Sequence, residues 1–168
     1  MSDSKDPAGD PIPKGMSEIT HILTVEDDEA IRSLIKYALL QYGYEVTEAG
    51  TGQEAIEAVH AADYDLVILD LMLGGDISGW DVFEEMKKKG IREQTKVMIM
   101  TARSQEAEIL KGWRVGVDQY CTKPFDLDMF VVTVQDTLLS TKEQLARQRD
   151  SELRKTELLH MVDTVFEE

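Results

Sequence analysis

The sequence predicts an α/β domain in which five parallel strands form one sheet covered by helices on both faces. Three observations predict it. Short strand-like runs (HILTV, YEVTE, DLVILD, KVMIM, DQYCT) recur five times, each followed by a segment with helical apolar spacing, and such strict alternation builds a parallel sheet. The runs LVIL and VMIM are apolar at every position, as strands covered on both sides are. Gly43 and Gly90 stand where helices must stop before the next strand.

The elements follow in order. Strand one spans 21–26, and a helix over 29–42 carries Ile31, Leu34, Ile35 and Ala38 on one face. Asp28 sits at its start and reads as the N-cap. Strand two spans 44–48 and its helix 52–62; strand three spans 65–70 and its helix 79–89. Strand four spans 96–100, with a helix over 105–114. Strand five spans 118–122, and the last helix begins near Asp126.

Residues 1–18 hold three of the four prolines and no apolar cluster, which predicts a disordered tail. The domain proper is expected over 19–138. Residues 139–168 are polar, free of Gly and Pro and rich in helix formers, so they are expected to extend the last helix. Unbroken over 126–168, that helix would reach roughly 60 Å at 1.5 Å per residue. Leu138, Leu145, Leu159 and Phe166 share a heptad track that Glu152 interrupts. The extension is therefore expected to serve as a parallel homodimer contact or as a linker to an output domain.

Composition narrows the class. At 168 residues with 42% apolar content the chain can bury one core. A single cysteine, Cys121, excludes a disulfide framework and suits a cytoplasmic setting. No apolar run is long enough for a membrane span. The net charge of −15 disfavours direct contact with nucleic acid. His21, His60 and His160 lack metal-ligand company, and Trp80, Trp113 and Cys121 read as packing residues.

Chemistry-bearing residues collect at strand ends. Glu26 and Asp27 close strand one, Asp70 closes strand three, Thr101 follows strand four, and Lys123-Pro124 follows strand five. The crevice outside the carboxyl ends of a parallel sheet is where such folds bind ligands. Three carboxylates at one mouth repel one another by about 4 kcal/mol per pair at 4 Å and an effective dielectric of 20. Protonation or a cation relieves that repulsion, and an all-oxygen donor set suits Mg²⁺. A lysine and a hydroxyl beside them can hold phosphoryl oxygens. The set fits phosphoryl transfer to Asp70.

The segments VEDD (25–28), LVILDLM (66–72), MTAR (100–103) and QYCTKPF (119–125) resemble the receiver domain of two-component response regulators, over roughly residues 20–138. The resemblance implies a flavodoxin-like sheet of order 2-1-3-4-5. It implies phosphorylation of Asp70 by a sensor histidine kinase or phosphotransfer protein, and Mg²⁺ held by Glu26, Asp27, Asp70 and the Met72 carbonyl. Thr101 and Lys123 would bind the phosphoryl group, Tyr120 would be the switch aromatic, and Lys123-Pro124 would be cis. The chain would then be a phosphoacceptor with self-catalysed transfer and autodephosphorylation, and not a multiple-turnover enzyme.

The sequence also departs from that family. The loop LMLGGDISGW is about one residue longer, with Gly74 in place of the usual proline and an extra acid, Asp76. Gln119, Met129 and Thr133 stand where DNA-binding members carry charges that pair two copies, so that dimer mode is not expected. Met72 and Arg103, the water-gating positions, are expected to slow dephosphorylation. Output is expected through a downstream partner protein or a missing output domain. Alternative readings are a phosphorylation-independent scaffold, a receiver fragment of a larger regulator or hybrid kinase, and a haloacid-dehalogenase-type hydrolase. The hydrolase would want an aspartate where Met72 stands.

Overall fold

The computed structural model describes residues 19–102 and 106–167. The Arg103 gating position and the tail before residue 19 lie outside the described residues. Five strands form one parallel sheet: β1 His21–Val25, β2 Glu45–Ala49, β3 Leu66–Asp70, β4 Lys96–Ala102 and β5 Gln119–Lys123. Their order is β2-β1-β3-β4-β5. The helices are α1 Glu29–Leu40, α2 Gly52–Ala61, α3 Gly79–Lys88, α4 Glu106–Val115, α5 Leu127–Leu139 and α6 Lys142–Phe166. A 3₁₀ turn at Ile91–Glu93 precedes β4.

The apolar runs are continuous because successive strand residues point to opposite, equally covered faces. Ile22, Leu66, Ile68, Met98 and Met100 face α1 and α5, meeting Ile35, Leu39, Phe130 and Val134. Leu23, Val25, Val67, Leu69, Val97 and Ile99 face the other layer, meeting Ala55, Val59, Val82, Phe83 and Met86 of α2 and α3. Leu34, placed on the buried stripe of the first helix, is 47% exposed; Leu39 takes that place at 0%. Helix starts are capped as local chemistry predicts. Asp28, Thr51 and Asp126 accept backbone N–H bonds from Ile31, Glu54 and Met129, and Ser78 forms a capping box with Asp81. No helix among the described residues is long and apolar enough to cross a membrane.

The carboxyl-terminal region departs from the expectation of one unbroken helix. Ser140 and Thr141 are extended, with ψ of 142° and 161°. Thr141 and Gln144 then form a capping box that starts a new helix. Lys96, at the foot of β4, donates to the carbonyls of Thr137, Leu138 and Ser140 at 3.0, 2.9 and 2.6 Å. One ammonium thus satisfies the orphan carbonyls at the end of α5 and fixes the turn. Beyond it α6 packs against α4. Leu145 is buried to 1% exposure against its own domain, so the heptad track from Leu138 to Phe166 does not form one free seam.

Candidate functional site

β1 and β3 lie side by side, with Val25 opposite Leu69, so Glu26 and Asp27 after β1 emerge beside Asp70, the last residue of β3. Glu26 and Asp70 are buried to 1% and 2% exposure, while Asp27 is exposed. Carboxylate oxygens of Glu26, Asp27 and Asp70 all lie within 4.8 Å of one another. Lys123, at the end of β5, reaches across the sheet mouth to Glu26 Oε2 at 2.7 Å and Asp70 Oδ2 at 2.8 Å. One ammonium thus serves two buried carboxyl groups.

Local structure holds each acid in place. Asp70 Oδ1 accepts from the Met72 N–H at 2.9 Å. Asp27 Oδ2 accepts from the Gly74 N–H at 3.1 Å, pinning the long loop after β3 to the loop after β1. Glu26 Oε1 accepts from the Asp28 N–H at 3.2 Å, and its backbone carbonyl accepts from Arg32 at 2.7 Å. Thr101 Oγ1, one residue beyond the partner of Asp70 on β4, is fully buried and has no hydrogen-bond partner among the described residues. A buried hydroxyl without a partner is costly; here it stands at the strand end beside the acids.

The electrostatics follow from burial. Desolvation pushes the Glu26 carboxyl up to about 7; the Lys123 hydrogen bond opposes the rise and the Asp70 charge adds to it. For Lys123 burial acts downward, but the bonds to Asp70 and Glu26 outweigh it and raise its pKa. All of the oxygen donors fit a hard divalent cation, which would offset the excess of carboxylates.

Tyr120 points from β5 into α4. Its hydroxyl donates to the Glu108 carbonyl at 3.2 Å, and its ring meets Trp113 edge-on at 4.8 Å. Gly112 makes this contact feasible, because a Cβ there would land on the Tyr120 hydroxyl. Trp80 also reaches α4, donating to the Glu108 carboxylate, so it does more than pack. The Lys123-Pro124 bond is cis.

Three contributors were not identified from sequence. Gly79 packs so closely on the Asp70 carbonyl that no side chain fits there. Arg32 and Gly112 complete the set. For Gly79, its place just after the Ser78 cap was the available signal. Asp76 is exposed and lies outside the carboxylate cluster. Gln119 and Thr133 line a cavity of about 350 Å³ with Leu145 and Gln148 of α6, so α6 reaches the face where uncharged residues were noted. Met129 and Val132 stay exposed at 61% and 45%.

A flavodoxin-like parallel sheet with three carboxylates, a lysine and a threonine at its carboxyl mouth defines an aspartyl phosphoacceptor class of domain. The sequence profile of the response regulator receiver domain matches residues 22–135. The chain belongs to that family of two-component signalling proteins. It is 38% identical over 127 residues to transcriptional regulatory protein QseB of Escherichia coli O157:H7, covering 76% of this chain and 57% of that one. It is 36% identical over 119 residues to ResD of Bacillus subtilis, covering 71% and 48%. Among solved structures, Thermotoga maritima TrrA in complex with Mg²⁺-BeF superimposes with a TM-score of 0.62 at 36% identity, covering 71% of this chain and 99% of that one. The non-phosphorylated HemR receiver domain of Leptospira biflexa gives 0.67 at 34% identity, covering 73% and 96%. The chain spans about half the length of the curated relatives it matches.

Proposed function

We propose that this chain is a phosphorylation switch in which Asp70 accepts a phosphoryl group from a histidine kinase or phosphotransfer protein. An Asp70 carboxylate oxygen bonds to phosphorus as the phosphorus–nitrogen bond of the donor phosphohistidine breaks, and the imidazole leaves with the electron pair. Lys123, already bonded to Asp70 Oδ2, redirects an ammonium hydrogen bond to a phosphoryl oxygen. The Thr101 hydroxyl donates to another. Glu26, Asp27 and Asp70, with the Met72 carbonyl, would hold Mg²⁺, whose charge offsets that of the phosphoryl group and the carboxylates. The Met72 and Gly74 amides keep Asp70 and Asp27 oriented.

The observation that supports this most strongly is the Lys123 ammonium shared between two buried carboxylates. A scaffold gains nothing from burying acids in excess of cations. Once Lys123 and Thr101 engage the phosphoryl group, the space about Thr101 changes, and Tyr120 on the neighbouring strand carries that change to α4. Output then passes through a partner protein or an output domain, in the cytoplasm. Intact-mass measurement after acetyl phosphate and Mg²⁺ tests the proposal: the wild type gains one phosphate and Asp70→Asn gains none. Phosphate on Asp70→Asn would refute the assignment.

A further inference from the structure

α6 is long but lightly held. Its 25 residues bury one side chain, Leu145, whereas the 13 residues of α5 bury four. Leu145, Arg149, Leu153 and Thr156 recur every three or four residues as the face turned to the domain, and from Leu158 onward every described residue is exposed. Three contacts tie that face to different elements. Leu145 lines a cavity with Gln119 of β5 and Thr133 of α5. Arg149 stands 3.3 Å from the Gly116 carbonyl, just past α4, and 3.6 Å from Asp118, just before β5. Glu157 pairs with Arg114 of α4 at 3.0 Å. α6 therefore bridges α4 to β5 and α5, and it keeps all three contacts only while α4 holds its place relative to β5. Tyr120 sets that place: from β5 its hydroxyl bonds the Glu108 carbonyl, and its ring abuts Gly112 and Trp113 of α4.

We infer that residues 142–157 are a strap that closes the α4–β5–α5 face while Asp70 is unmodified and is released when Asp70 is phosphorylated. The inference rests on the reading of Asp70 as the phosphoacceptor. The strap is docked in the arrangement where Lys123 is held by Glu26 and Asp70 and Tyr120 supports α4. A phosphoryl group draws Lys123 and the Thr101 hydroxyl to itself. Tyr120 follows toward Thr101, and the Glu108 carbonyl and the slot over Gly112 lose their occupant. α4 then shifts against β5, which stretches the Arg149 bridge and misaligns Arg114 with Glu157. One buried side chain and partly exposed ion pairs hold the strap, so it has little to set against that change. Docking and phosphorylation oppose each other, and by linkage whatever loosens the strap favours the phosphorylated form by the same factor. The face carrying Gln119 and Thr133 is then open to a partner only in the phosphorylated chain.

Hydrogen exchange of the full chain in Mg²⁺, with and without beryllofluoride as the phosphoryl probe, tests the release, and calorimetry confirms that the probe is bound. Amides of 142–157 should exchange at least about tenfold faster with the probe, because a helix without its tertiary contacts is marginal in water, while those of α1 stay unchanged. Equal or slower exchange at full loading would overturn the strap and leave the Asp70 reading standing. Failure to load would overturn that reading and the control of the strap with it. Linkage supplies a second measure. Arg149→Glu, which faces Asp118, and Glu157→Arg, which faces Arg114, should each bind beryllofluoride about three- to tenfold more tightly than wild type, with circular dichroism confirming that each is folded. The two variants change net charge in opposite directions, so tightening in both is not attraction of the anion to the whole chain. Tightening in only one, or in neither, would overturn the inference.

Discussion

Just before β5, Asp118 is met by Arg92 at 2.9 Å, by the Val97 amide at 2.8 Å and by Arg149 at 3.6 Å. At the opposite end of the same sheet, Asp70 must share the ammonium of Lys123 with Glu26. Around Asp118 cations outnumber the acid, and their spare donors find carbonyls: Arg92 also bonds the Thr95 and Gly116 carbonyls, and Lys96 bonds three at the end of α5. Around Asp70 acids outnumber the cation, and the buried Thr101 hydroxyl has no partner among the described residues. Saturated buried charge fixes architecture; unsaturated buried charge prepares a site for a cation and an anion to complete.

The largest expected effect separates the two clusters. Asp118→Ala strands Arg92 and the Val97 amide and should cost about 3–5 kcal/mol, read as a lowered midpoint in urea. Asp70→Asn removes one of three mutually repelling carboxylates while Lys123 keeps Glu26. It should leave stability within about 1 kcal/mol of wild type, or above it. Comparable losses in both would erase the distinction.

A second test uses pH. Glu26 has its carboxyl raised from 4.5 to about 7 by burial, so the folded state keeps a proton that the unfolded state releases. The resulting stability is fully present below about 4.5 and is lost as pH rises toward 7. In chelator, the melting temperature of wild type relative to Glu26→Gln should fall across that window. Millimolar Mg²⁺ should flatten the fall, since a bound cation favours the charged carboxylate. The same slope in both proteins would contradict the assignment.

A smaller effect probes the link from the site to α4. Gly112→Ala drives a methyl into the position of the Tyr120 hydroxyl and should cost about 1–3 kcal/mol by overpacking. Adding Tyr120→Phe removes the nearest colliding atom, though the ring carbon behind it stays at 2.7 Å, and should recover part of that loss in a thermal melt. Absence of recovery would show that Tyr120 does not occupy this slot in solution.

The sheet was legible in the sequence because β–α alternation and uninterrupted apolar strands admit few other folds. Glu26, Asp27, Asp70, Thr101 and Lys123 were legible because polar residues at strand ends stand out against apolar runs. The break at Ser140 was written in the sequence as Thr141-x-x-Gln144, a capping-box spacing. It was masked by a long stretch of good helix formers without Gly or Pro. The Lys96 clamp and the Arg149–Asp118 contact left no local trace, since each joins residues distant in sequence. Gly79 and Gly112 act by close approach between elements, which no single segment reveals.

The central claim is that the acid-rich mouth of the sheet takes up a cation and a phosphoryl-like anion together. Isothermal titration calorimetry of beryllofluoride into the full chain tests it most directly. One equivalent should bind in the presence of Mg²⁺, none in chelator, and none to Asp70→Asn. Binding that persists without Mg²⁺ or on Asp70→Asn would contradict the account.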